Sequence, residues 1–287
     1  MNFNGQIVDA TVSDQNETQV FVQYQGVTMS VDAAEFATQP AVGDVLHGFA
    51  YENKGGADRF TTKLPEVGYD RYAFGTVVDV RKDLGVFINI GLPDKDLVLS
   101  LDDLPELTKL WPAKGDRLMV SMHIDKQHRL WAKLADMNMF QAVANQAKPA
   151  MMNADVTATV YALRLSGTHV ITDDYYLGFI HPSERDQEPR LGQVVHGRVI
   201  GVRDDGTLNL SLRPRAFEEI GDDAAMILAV IDHDPAKSIP YTDKSDPEAI
   251  KIAFGISKGA FKRALGHLLK ARLVVEENGV TRRVDQK

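Results

Sequence analysis

The sequence predicts a multidomain chain: three consecutive all-β, five-stranded barrels followed by an α+β domain of helices and a hairpin. Three observations carry this expectation. Residues 1–215 alternate short β-rich runs with Gly, Asp and Asn turns, as in Gln6-Ile7-Val8, Thr76-Val77-Val78 and Val194-Val195-His196, with little helical periodicity. A glycine-led phrase recurs along that stretch. After Pro214 the apolar residues switch to helical spacing.

The recurring phrase justifies the barrels. It reads Val42-Gly43-Asp44-Val45-Leu46, then Lys114-Gly115-Asp116-Arg117-Leu118, then Leu191-Gly192-Gln193-Val194-Val195. Each copy opens a strand that ends in a polar turn, at 53–56, 125–128 and 204–207. Each then returns as a second strand, at 59–62, 129–132 and 208–212. A repeat of roughly 70 residues is too long for a solenoid unit and suits a five-stranded barrel of the oligonucleotide-binding type. Pro65-Glu66-Val67-Gly68 separates the first barrel from the second. Residues 135–144 place Met137, Phe140, Val143 and Ala144 at helical spacing, which reads as a packed connector helix. The expected domains are therefore 1–66, 67–148 with the connector, 149–214 and 215–287.

The last domain is read from its caps. Residues 224–231 form a buried-helix run. Asp246-Pro247-Glu248 starts a second helix, with an acid as cap and Pro in the first turn. Gly255-Ile256 breaks it, and Ser257 caps a third helix over 258–270. Residues 272–275 then pair with 280–284 across a turn ending in Asn278-Gly279. Three helices and a hairpin make a winged-helix arrangement.

Composition narrows the function. With 287 residues, 44% of them apolar, there is material for several cores, and the absence of Cys excludes disulfides and thiolate metal sites. No apolar run approaches the roughly 20 residues of a membrane helix. Met1-Asn2-Phe3-Asn4 has no basic or apolar leader character. The expectation is a cytoplasmic chain without membrane contact. The net charge of −8 opposes nucleic-acid binding in bulk, but residues 250–287 hold nine basic and three acidic side chains. On the 258–270 helix, Lys258, Lys262, Arg263, His267 and Lys270 oppose an apolar stripe of Phe261, Leu265, Leu268 and Leu269. A helix entering a nucleic-acid groove has this form, with Arg282 and Arg283 on the wing touching backbone; a solvated charged face is the rival. His233 between Asp232 and Asp234 reads as a cap and loop rather than a metal site. No nucleophile elbow and no paired carboxylates mark an enzyme, and no cofactor is implied.

The third repeat carries the most specific motif. Gly178-Phe179-Ile180-His181-Pro182-Ser183-Glu184, followed by Gly192-Gln193-Val194-Val195-His196-Gly197-Arg198-Val199 and Leu208-Asn209-Leu210-Ser211-Leu212, strongly resembles the S1-type RNA-binding domain. The second repeat looks like a divergent member, with Asp83-Leu84-Gly85-Val86-Phe87-Ile88 and Asp125-Lys126-Gln127-His128-Arg129. The first resembles it in strand layout. Three such barrels before a winged helix resemble the bacterial conserved virulence factor B family.

That resemblance implies a site. In the second repeat, Phe87, Asp125 and Arg129 match family positions, and Val98 stands where the family has His. In the third, His181 matches, His169 replaces an aromatic of the second strand, and Arg203 and Thr207 replace the Asp and Arg. Aromatic faces stack on unpaired bases. Phe87, His169 and His181 fill that role if they project outward; Phe179 and Trp131 are expected to pack inward, and His181 has a rival role in fixing the Pro-Ser turn. Arg129 and Arg198 suit phosphate, and Asn209 or Ser211 a 2′-hydroxyl. The implied function is non-enzymatic binding of single-stranded RNA by a post-transcriptional regulator. Two alternatives remain open: a winged-helix factor on duplex DNA, and a protein adaptor of the ribosome or transcription machinery with degenerate barrels.

Overall fold

The computed structural model describes residues 3–213 and 221–284. It forms two compact units, 1–212 and 213–287. The expected boundary at 214 and 215 lies outside the described residues.

The first unit holds three closed barrels, each of five strands. The first uses β1 (Gln6–Gln15), β2 (Gln19–Tyr24), β3 (Val27–Asp32), β4 (Val45–Glu52) and β5 (Asp58–Thr61). The second uses β6 (Ala73–Arg81), β7 (Gly85–Asn89), β8 (Leu97–Leu99), β9 (Arg117–Ile124) and β10 (Leu130–Leu134). The third uses β11 (Asp155–Arg164), β12 (Gly167–Thr172), β13 (Leu177–Ile180), β14 (Val194–Val202) and β15 (Leu208–Ser211). In each, the first strand pairs with the second and fourth, and a parallel pair of the third and fifth strands closes the barrel. The glycine-led phrases open β4, β9 and β14, and the polar turns follow them as the repeat predicts.

Alternation places the cores. Val20 and Val22 on β2, Val86 and Ile88 on β7, and Gly178 and Ile180 on β13 point inward, so their neighbours point out. Gly85 and Gly167 open the second strand of their barrels at φ of 126° and 151°. A Cβ at either position would collide with a carbonyl oxygen, of Leu99 or Ile180, so only glycine fits. The connector is helix α1 (Met137–Val143), capped by Asp136. Its buried Phe140 stacks on Tyr161 of β11 at 4.0 Å.

The second unit contains α2 (Asp222–His233), β16 (Ser238–Ile239), α3 (Pro247–Phe254), α4 (Lys258–Lys270), β17 (Val274–Glu277) and β18 (Val280–Arg283). The caps act as the residues predict. The Asp246 carboxylate accepts from the amides of Glu248 and Ala249 at 3.0 and 3.1 Å, and Ser257 accepts from Ala260 at 3.2 Å. Gly255 ends α3 at φ 70°. Asn278 and Gly279 turn the hairpin at φ of 53° and 79°. The hairpin begins at Val274, later than expected, because Arg272 at φ 55° terminates α4 and the Leu273 amide reaches back to the Leu268 carbonyl. Among the described residues no helix is long and apolar enough to cross a membrane.

Candidate nucleic-acid interface

A shared irregularity aligns the three barrels. The first strand of each is bulged, between Val12 and Asp14, Val77 and Asp79, and Val160 and Ala162. One transverse row of outward residues follows from the pairing just past each bulge. In the first barrel it runs Asp14, Phe21, Ser30, Arg59, Tyr51. In the second it runs Asp79, Phe87, Val98, Trp131, His123. In the third it runs Ala162, His169, Phe179, Asn209, Gly201.

The second row carries two half-buried rings under arginines. The Arg81 guanidinium lies 5.2 Å from the Phe87 ring centre, and that of Arg129 lies 5.3 Å from the Trp131 ring. Trp131 therefore faces outward, against the expectation of packing, because Leu130 and Ala132 fill the inward positions of β10. Asp125 organises this corner. Its carboxylate accepts from the amides of Gln127 and Arg129, the Arg129 side chain and Trp131 Nε1, at 2.8 to 2.9 Å. The Arg129 amide, followed by the side-chain donors, holds the Asp125 carboxyl far below the usual carboxylate range. Arg129 is thus ion-paired with Asp125 at 2.7 Å rather than a free phosphate ligand.

The third row is similar in form. His169 meets the Phe179 ring edge-on at 5.4 Å, and the Arg203 guanidinium covers Phe179 at 5.0 Å. Arg203 Nε donates to Asn209 Oδ1 at 3.0 Å. Burial, then the charges of Arg164 and Arg203, push the His169 imidazole below its usual value, so it is neutral near pH 7. Phe179 corrects the inward expectation: Gly178 and Ile180 take the core side, leaving Phe179 outside.

The register also corrects the family alignment. Val98 is the counterpart of Phe179, not of the motif His. The counterparts of His181 are Ser100 and Asp32, each the cap of a 3₁₀ turn. The exposed His181 accepts from the Ser183 amide through Nδ1 at 3.2 Å, and that atom lies 2.7 Å from Ser183 Oγ. His181 fixes the turn, as the rival reading had it. Arg198 lies on β14 opposite Asp155 and Ser211, outside the row, and its Nε is buried without a hydrogen-bond partner.

In the first barrel the row is occupied from within the chain. Asp94, from the loop between β7 and β8, accepts from Tyr51 Oη at 2.7 Å and Asn53 Nδ2 at 3.1 Å. It also lies 3.2 Å from Arg59 Nε. Arg59 Nη1 donates to Ser30 Oγ, and Lys54 pairs with Asp96 at 2.6 Å.

On α4, Lys262, Arg263, His267 and Lys270 are exposed, together with Gly259 and Gly266. Lys258 is half-buried, and Lys262 lies 3.5 Å from Asp243. The wing divides its two arginines. Arg282 is exposed opposite Val275. Arg283 is committed to Asp232 Oδ1 and the Leu273 carbonyl, both at 3.0 Å, which corrects its expected role on nucleic-acid backbone. Around His233, Asp232 takes Arg283 and Asp234 caps the Ala236 amide.

Family models agree with this layout. An S1 domain model matches residues 4–63, and that of the CvfB first S1-like domain matches 72–133. The second domain of virulence regulatory factor CvfB matches 140–214, and the CvfB-like winged helix domain 225–282. Conserved virulence factor B of Staphylococcus epidermidis is 37% identical over 243 residues, covering 83% of this chain and 79% of that protein. The chain belongs to the conserved virulence factor B family. Uncharacterized protein YitL of Bacillus subtilis is 39% identical over 277 residues, 96% of this chain and 92% of its own. A multidomain protein with nucleic acid binding domains from Streptococcus pneumoniae superposes with a TM-score of 0.74 at 45% identity, covering 98% of this chain and 99% of that one.

Within this CvfB-type chain, sequence reasoning missed Phe21, Arg81 and Tyr161. Phe21 has the position of Phe87 and was findable by placing the bulges in register. Arg81 and Tyr161 gave no local signal, since each matters only through a partner, Phe87 or His169.

Proposed function

We propose that this protein binds single-stranded RNA along the outer rows of its second and third barrels, as a non-enzymatic, cytoplasmic, post-transcriptional regulator. The virulence-factor naming of its relatives supports the regulatory part. The observation that carries the binding part is the common register, which sets ring pairs Phe87–Trp131 and His169–Phe179 on equivalent outer faces. Each ring pair is covered by arginine. A base displaces the guanidinium from a ring face; the freed Arg203 turns to phosphate, and Arg81 and Arg129 do so only by exchanging Asp79 and Asp125 for it. Stacking on one such ring contributes about 1–3 kcal/mol with little sequence preference.

Anisotropy of a labelled, unstructured RNA tests this. Phe87→Ala and Phe179→Ala are each expected to weaken binding by about 5- to 150-fold, with melting temperatures held. Unchanged affinity in both variants refutes the reading. A second reading rests on the exposed cations of α4, which suit duplex DNA. Competition by duplex DNA, abolished by Lys262→Ala with Arg263→Ala, would favour it.

A further inference from the structure

A cavity of about 310 Å³ opens between the second and third barrels. Leu104 and Pro105 line it from the loop after β8, Leu134 from the end of β10, and Tyr161, Ala162 and Leu163 from β11. Its position matters more than its size. Ala162 is the first member of the third row and pairs with His169. Leu134 closes β10, three residues past Trp131. The cavity therefore adjoins the β11 end of the third row and the last residue of β10.

Its chemistry selects among the parts of a nucleotide. The walls are mostly apolar and include the Tyr161 ring, 6.0 Å from His169. Burial pushes the Tyr161 phenol up to about 12, so it stays protonated. The charged groups here are Asp103 and Asp136, which accept hydrogen bonds from an amine, and the exposed Arg164 at the rim beside Met137, which suits the phosphate that follows the base. Asp136 already caps α1 through the Met139 amide at 3.0 Å. Among the described residues the Asp103 carboxylate caps no helix; burial and the neighbouring Asp102 push it up, and His123 and Lys133 act on it through space. The volume falls at the lower end of roughly 300–1,000 Å³ for small-ligand sites.

We propose that this cavity takes one unstacked nucleobase of the single strand held by the two rows, and favours a base bearing an exocyclic amine over uracil. The proposal rests on the RNA-binding reading above. The cavity takes a base turned out of the stack beside the third row.

An abasic scan of the full chain's RNA ligand tests it. One abasic nucleotide is moved along a short labelled strand and each affinity is measured. At one position the wild-type protein should lose about 5- to 150-fold on removal of the base. Ala162→Phe, whose ring fills the cavity, should bind the intact strand that much more weakly and show no further loss at that position. Met137→Phe, at a half-buried position of α1 that lines the cavity, should do the same and serves if Ala162→Phe lowers the melting temperature. Cytosine at that position should bind more tightly than uracil, and Asp103→Asn should narrow the difference. Equal penalties in wild type and both variants overturn the cavity site while leaving the rows intact. Equal affinity for cytosine and uracil overturns the amine preference. Failure of the wild-type chain to bind the intact RNA overturns the function proposal itself.

Discussion

Asp94→Ala is expected to destabilise the first unit by about 3 kcal/mol. Its carboxylate bridges the first two barrels through Tyr51, Asn53 and Arg59. Hydrogen bonds to a charged group contribute about 1.5–3 kcal/mol each. The Arg59 contact is discounted toward the surface value of about 0–1 kcal/mol, because the Asp94 side chain remains 32% exposed. The Tyr51 contact dominates. Its ring is fully buried, and burial followed by the Asp94 hydrogen bond raises the phenol well above its ordinary value, so it remains a donor. Removing the acceptor strands that hydroxyl at a cost of about 1–3 kcal/mol. Urea unfolding followed by the fluorescence of Trp111 and Trp131 measures the sum; a loss of about 3 kcal/mol corresponds to roughly 6–12 °C for a unit of this size. Tyr51→Phe in a double-mutant cycle isolates the hydroxyl, with an expected coupling of at least about 1 kcal/mol. A loss below about 0.5 kcal/mol, or strict additivity with Tyr51→Phe, refutes the bridge.

Two further outcomes follow from local chemistry. The folded His169 imidazole has a lowered proton affinity, so between that value and the free imidazole value of about 6.5 the unfolded chain binds more protons. Stability is therefore full above about pH 7 and declines as pH falls through that window. His169→Phe should flatten part of this decline in urea unfolding at successive pH values; an identical slope in the variant refutes the assignment. On α4, a Cβ added to Gly266 meets no atom within 4 Å. Gly266→Ala should gain up to about 1 kcal/mol of helix stability, read as roughly fivefold slower amide exchange along α4. Exchange that is unchanged or faster argues against a simple solvent-facing helix.

Legibility in the sequence tracked the range of the interactions. Asp246, Gly255, Ser257 and Asn278-Gly279 act on their own neighbours, so their cap and turn chemistry placed helix ends and hairpin directly. The barrels were legible because the glycine-led phrase repeats. The rows were not, because each depends on a one-residue bulge and on partners dozens of residues away. Phe179 shows the failure in detail. Its inward neighbour is Gly178, which has no side chain to announce the core, so the phenylalanine looked like the packing residue. Arg129 and Arg283 failed differently: a cation in sequence carries no sign of the carboxylate that neutralises it.

That neutralisation separates the two rows as proposed phosphate sites. In the second barrel both arginines over rings are paired with carboxylates, Arg81 with Asp79 at 3.1 Å and Arg129 with Asp125 at 2.7 Å. A phosphate arriving there exchanges one anion for another, so few counterions are released and salt has little leverage. In the third barrel Arg203 Nε is held by the neutral amide oxygen of Asn209. A phosphate there meets a cation on which Asp205 acts only through space. Arg203→Ala should therefore lower the salt slope of RNA binding by about one, while Arg81→Ala and Arg129→Ala, which remove cations already paired with carboxylates, change the slope less. Equal slopes for all three variants would mean that the carboxylates remain paired in the complex and that phosphate is held elsewhere.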